Sequence, residues 1–160
     1  MRRLGLVAAL AFALAAIAQG TPARADPFDS YQEGSLLECV VNSGSDQAAL
    51  HRCVGSAANP CSARDGGATS SYVLCWSHEA DSWRALMHGA IGDLNQRNPA
   101  RDPQRLAATS AAWEAWAEAE CDYWAWEEGG GSGEQVDRVQ CLARVTAERA
   151  IALMVAAGAP

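Results

Sequence analysis

Six cysteines fall along the chain as three pairs: Cys39 and Cys53 with thirteen residues between them, Cys61 and Cys75 with thirteen, and Cys121 and Cys141 with nineteen, spanning Gly129-Gly130-Gly131. An even number of cysteines in a chain this short reads as a disulfide framework, provided the protein reaches an oxidising compartment. The N-terminus meets that condition. Arg2 and Arg3 precede an apolar run over residues 4–18, and Ala23-Arg24-Ala25 offers the small-x-small pattern that signal peptidase cuts. Cleavage near Ala25 is expected to start the mature chain at Asp26. The apolar run, about fifteen residues, is short for a bilayer span, and no later stretch approaches about twenty apolar residues without charge. No cysteine near the cleavage site offers a lipid anchor. The expectation is an exported protein, periplasmic or secreted, that does not span the membrane.

Residues 26–160 have the length of a single domain, long enough to bury a core to which disulfides add. Loss of the leader removes Arg2, Arg3 and Arg24 and no acid, so a formal net charge already at −7 becomes more negative. Nucleic acid is thereby excluded as a partner, because phosphates demand a basic footprint. The acidity serves solubility, and it is compatible with a cationic protein partner attracted over a Debye length of about 8 to 10 Å.

Helical periodicity dominates the second half. Val73, Trp76, Ala80, Trp83, Met87, Ala90, Ile91 and Leu94 recur on one face of a helix over residues 70–96, with Thr69 or Ser70 as N-cap and Asn98-Pro99 as the stop. Asp102 followed by Pro103 starts a second helix that runs through Leu106, Trp113, Trp116 and Ala117 to the glycine run. Ser132 with Gln135 reads as a capping box for a third, striped by Val136, Val139, Leu142, Val145, Ile151, Leu153 and Met154. Further upstream, Leu36, Leu37, Val40 and Val41 suggest one short helix, and residues 47–54, capped by Ser45 or Asp46, another. No segment alternates with period two. The fold class expected is all-α: a small disulfide-linked domain in which an antiparallel hairpin, residues 103–157, packs on the long helix. A short helical N-terminal arm covers one end.

Six cysteines allow fifteen pairings, and spacing alone does not choose. The hairpin does better: Cys121 lies ten residues before Gly131 and Cys141 ten after it, so both sulfurs reach nearly the same height. Pairing Cys121 with Cys141 leaves Cys39 with Cys53 and Cys61 with Cys75 to close two local loops. Cys75 and His78 have the spacing of half a zinc site, but no second half follows, and neither a metal nor another cofactor is expected.

The segment Trp113-Glu114-Ala115-Trp116-Ala117-Glu118-Ala119-Glu120-Cys121, then Gly130, Gly131 and Ser132, then Cys141, Leu142, Thr146, Arg149 and Leu153, resembles the signature of the LprI-like lysozyme-inhibitor domain family. Upstream, Cys53-Val54-Gly55, Cys61, Cys75, Glu79 and Trp83 are similar to an N-terminal extension of some members, so the resemblance spans residues 53–154. The chain departs from the common pattern at Arg84, Met87, His88, Ser110 and Ala117, where members carry Asp, Leu-Asn, Gln and Arg. The resemblance implies an exported, mostly helical, disulfide-linked domain, and for the namesake the binding and inhibition of lysozyme.

Several residues admit two readings. Trp76, Trp83, Trp113 and Trp116 could form a sugar-stacking platform, but their positions on apolar helical faces assign them to the core. Trp124 and Trp126 flank Ala125 and diverge on a helix, so one of them, Trp126 near the turn, is left for a partner. Glu127, Glu128 and Glu134 bracket the glycine run as an acidic tip, either facing water or docking on the basic rim of a lysozyme or another cationic envelope protein. Arg149 is expected to pair with Glu114 or Glu118, and Thr146 to bond back to its own helix. Catalysis is not expected: bridged cysteines offer no thiolate, Glu118 and Glu120 diverge, and His51, His78 and His88 have no catalytic spacing. The function expected is non-enzymatic binding, inhibition of lysozyme by occlusion, with a structural or interaction module of the cell envelope that binds a glycan or another envelope protein as the alternative.

Overall fold

The computed structural model describes residues 31–64, 66–98, 102–127 and 131–158; the leader with its cleavage site, Pro99, Glu128, Gly129 and Gly130 lie outside the described residues. Six helices follow one another: α1 Glu33–Ser43, α2 Gln47–Arg52, α3 Ala58–Arg64, α4 Thr69–Arg97, α5 Pro103–Glu127 and α6 Ser132–Ala157, with no strand among the described residues. The protein is an all-α domain in which the α5–α6 hairpin and a helical arm pack around the long α4.

Local chemistry sets most of the boundaries. Asp102 Oδ1 accepts the backbone N–H of Gln104 at 3.0 Å and opens α5 ahead of Pro103. Asp46 Oδ1 takes Ala49 N–H at 3.0 Å and opens α2. Two expected caps are not formed. The helix α4 begins at Thr69, so the cap position falls to Ala68, which has no side-chain acceptor. At α6 the cap is Gly131 at φ +86, a conformation open to glycine, and Ser132 is already helical, too late to close a capping box. Helix α3, absent from the sequence reading, buries only Ala58, Cys61 and Ser62 and so carries no apolar stripe.

The long helices run up, down, up, with α4 and α6 parallel. At one level Trp76 and Ala80 of α4 cluster with Val139, Leu142 and Ala143 of α6; further along, Trp83, Met87 and Ala90 cluster with Ala147, Ala150, Ile151 and Met154. Ala143, Ala147 and Ala150 are fully buried, and these small side chains leave room for the Trp83 indole, itself wholly enclosed. Enclosing such a side chain contributes roughly 2 to 3 kcal/mol relative to exposure. The expected arm over one end is instead laid lengthwise. Leu36, Val40 and Leu50 join the Trp83 cluster while Ala58 and Cys61 join the Trp76 cluster, because disulfides hold both halves of the arm flat.

Those crosslinks are Cys39–Cys53, Cys61–Cys75 and Cys121–Cys141, with Cα separations of 5.7, 5.9 and 5.5 Å. The first ties α1 to the end of α2, the second ties α3 to α4, and the third ties α5 to α6 across the hairpin.

Candidate binding surface

Glu79 is the most deeply placed charge among the described residues. It lies on the buried face of α4 with no exposure to solvent. Its two carboxylate oxygens accept the backbone N–H groups of Gly55, Ala57 (3.2 Å) and Ala58 (2.7 Å), and the Trp83 indole N–H at a longer 3.4 Å. Gly55 holds φ +85 there, and a Cβ at that position would stand 2.5 Å from Asn59 Nδ2 and 3.2 Å from the Trp76 ring. Gly55, Glu79 and Trp83, all carried by the resemblance, thus meet in one structural knot. An acid standing inside the stripe Trp76, Ala80, Trp83 was the sequence signal for it.

Between α4 and α5, over a floor of α6, lies an open cleft of about 490 Å³ lined by Arg84, Trp113, Glu114, Glu118, Leu142 and Thr146, among others. Its charges answer one another. His88 Nε2 lies 2.9 Å from Glu114 Oε1, Arg84 reaches Asp81 at 2.5 Å and Glu118 at 3.8 Å, and Arg138 bonds both Glu118 (2.5 Å) and Asp122. The bond to Asp122, then the fields of Asp122 and Glu118, raise the Arg138 pKa further above its ordinary value. Arg84 and His88 therefore clamp α4 to α5 through Glu118 and Glu114. Met87 and Ala117 are buried, and Ser110 bonds back to the Leu106 carbonyl at 2.9 Å.

Two expectations fail in this region. Glu114 and Glu118 have other partners, so Arg149 does not pair with them, and its Nε is buried without a hydrogen-bond partner among the described residues. Thr146 is buried against the cleft and makes no bond back to its own helix among the described residues.

The aromatic residues of α5 point elsewhere. Trp113 is half-buried, but Trp116 is 49 % exposed, against the core position expected for it. The inner face of α5 is formed by Ser110, Ala117, Cys121 and Ala125, and Trp116 stands about 100° away from its neighbour Ala117. Trp124 and Trp126 are both exposed, as is Tyr123, because Ala125 between the two tryptophans takes the inward position. Glu127 is exposed beside them, and Glu134 on α6 is half-buried. The structure thus brings Trp126 and Glu127 to the end of α5, with Glu128 outside the described residues.

Every cysteine is oxidised, so Cys75, bonded to Cys61, is no metal ligand and no thiol remains for nucleophilic chemistry. Among the described residues no three His, Cys, Asp or Glu side chains group to hold a metal ion. Nor, among them, is any helix long and apolar enough to cross a membrane.

Disulfide staples, an up-down-up trio of long helices and an acidic, aromatic outer face on α5 define the class: a crosslinked helical bundle that presents a surface. The chain belongs to the lysozyme inhibitor LprI family, whose model matches residues 61–153. That match runs from Cys61 in α3 to Leu153 in α6, so it holds the second and third disulfides and leaves Cys39–Cys53 with α1 and α2 outside. The chain matches no curated protein and no solved structure.

Proposed function

We propose that this protein is an exported, non-enzymatic inhibitor that binds a lysozyme and blocks its cleft by occlusion. Membership of the lysozyme inhibitor LprI family carries the reading. Three oxidised cysteine pairs support delivery to the periplasm or beyond, after removal of the leader near Ala25, with the remainder from Asp26 onward acting as one domain. Trp126, Glu127, Glu128 and Glu134 around the α5–α6 turn belong to the contact, where acidic groups meet the basic rim of a cationic enzyme. Occlusion fits a surface with no thiol nucleophile and with the cleft acids already held by His88, Arg84 and Arg138.

Titration of the purified, fully oxidised protein into a muramidase lysis assay tests the proposal. Lysis should fall to a plateau near one equivalent; undiminished lysis at a hundredfold molar excess would remove the idea. The second reading, an envelope module that binds a glycan, is favoured by the half-buried Trp113 beside the cleft, and it predicts binding to soluble muropeptides with lysozyme activity untouched.

A further inference from the structure

We infer that the partner is gripped along the outer flank of α5, by Trp116, Glu120, Tyr123, Trp124 and Glu127, and that this flank selects a protein surface rich in arginine. The inference rests on the inhibitor reading above and moves the main contact from the turn to the side of the helix. The five residues stand at i, i+4, i+7, i+8 and i+11, which places them on one face over about 17 Å. Trp116, Tyr123, Trp124 and Glu127 are exposed, and Glu120 is half-buried.

Exposed aromatic residues in this number on one helix are costly in water, and tryptophan and tyrosine are the residue types that anchor protein interfaces. The indole N–H of Trp124 donates to Glu120 Oε1 at 2.8 Å, and the Tyr123 and Trp124 rings meet edge to face at 5.3 Å. These contacts hold the anchors in place before a partner arrives, which lowers the entropy lost on binding.

The acids on α5 divide by flank. Glu114, Glu118 and Asp122 are engaged by His88, Arg84 and Arg138, whereas Glu120 and Glu127 make no ion pair among the described residues. From Trp113 to Glu127 the chain contains no basic residue. Uncompensated carboxylates alternating with indole and phenol faces match the guanidinium group, which stacks on an aromatic ring and bonds a carboxylate in the same plane. A lysine surface would satisfy the charge alone.

The experiment compares binding of the oxidised full chain to a cationic c-type lysozyme and, separately, to an octa-arginine peptide. The variants are a flank pair (Trp116→Ser with Trp124→Ser), an acid pair (Glu120→Gln with Glu127→Gln) and a turn pair (Trp126→Ser with Glu134→Gln). All replace residues outside the core, and unchanged circular dichroism and melting temperature verify the fold. The flank and acid pairs should each weaken lysozyme binding at least tenfold, the acid pair should flatten its salt dependence, and the turn pair should cost less than threefold. Flank variants that bind like the parent while the turn pair fails would overturn the inference and leave the inhibitor reading standing. If the parent binds no lysozyme, the inhibitor reading falls. The peptide then decides: weaker binding by the flank and acid pairs supports an arginine-selecting flank, and equal binding, no binding, or equal preference for octa-lysine overturns it.

Discussion

The backbone N–H of Gly55 donates to the carboxylate of Glu79, twenty-four residues further along the chain. This bond fastens the turn between α2 and α3 to the middle of α4. It explains why an ionisable group is tolerated at a site with no solvent: all its partners are donors, and a carboxylate is purely an acceptor. Removing it orphans three buried backbone donors at about 1 to 3 kcal/mol each. Glu79→Ala should therefore lower stability by about 3 kcal/mol or more in denaturant unfolding. Glu79→Gln is no conservative change, because its amide N–H₂ must face N–H groups whichever way it is turned, and it should cost about 1 to 3 kcal/mol.

Gly55 is the other half of that knot. Its φ of +85 is a backbone conformation that L side chains rarely adopt, and an added methyl group would also have to displace the end of the Asn59 side chain and press on the Trp76 ring. Gly55→Ala should destabilise by more than about 1 kcal/mol, seen as a lower melting temperature, whereas Gly34→Ala, with open space around its backbone, should not.

The hairpin crosslink makes a separate prediction. Cys121–Cys141 closes a loop with a sequence separation of 20, and its loss from the unfolded-state restriction amounts to about 3 kcal/mol. Cys121→Ala with Cys141→Ala should lose that much stability in denaturant melts while keeping its helical circular dichroism, because α6 remains packed on α4. Collapse to an unfolded chain would show that the α4–α6 contact is weaker than its buried alanines and tryptophans suggest.

Tyr31 gives the stability an alkaline limb. Burial, set against a 3.0 Å hydrogen bond with Ser82, pushes its phenol up to about 12 from an ordinary 10. The folded state thus favours the protonated phenol. Its contribution is complete below pH 10 and is lost as pH rises through about 12. Unfolding measured between pH 9 and about 12 should show a decline that Tyr31→Phe reduces; an identical decline in the variant would place its origin elsewhere.

Legibility followed the size of the side chains. Helices α4 and α6 are legible because large apolar residues recur every three or four positions, α5 because Asp102-Pro103 opens it and the glycine run closes it, and the hairpin register follows from the equal distances of Cys121 and Cys141 from Gly131. Helix α3 is not, since alanine, serine and cysteine leave no contrast between its faces. The sequence leaves Trp116 ambiguous because a tryptophan four residues before Glu120 and one before Ala117 fits two faces, and the narrow alanine and cysteine seam of α5 decides which one turns inward. The acids expected for Arg149 are held by Arg84, His88 and Arg138, a choice among cations that depends on helix rotation and not on sequence spacing. At the surface, charge and aromatic content were visible in the sequence, but their division between a neutralised flank and an uncompensated one needed the three-dimensional pairs.

Calorimetric titration of the oxidised protein with a cationic lysozyme, at low and at physiological ionic strength, addresses the account most directly. The expected result is a one-to-one complex whose dissociation constant rises at least several-fold with salt, as screening over about 8 to 10 Å requires of an acidic face on a basic one. Absence of heat and of complex at both ionic strengths would contradict it.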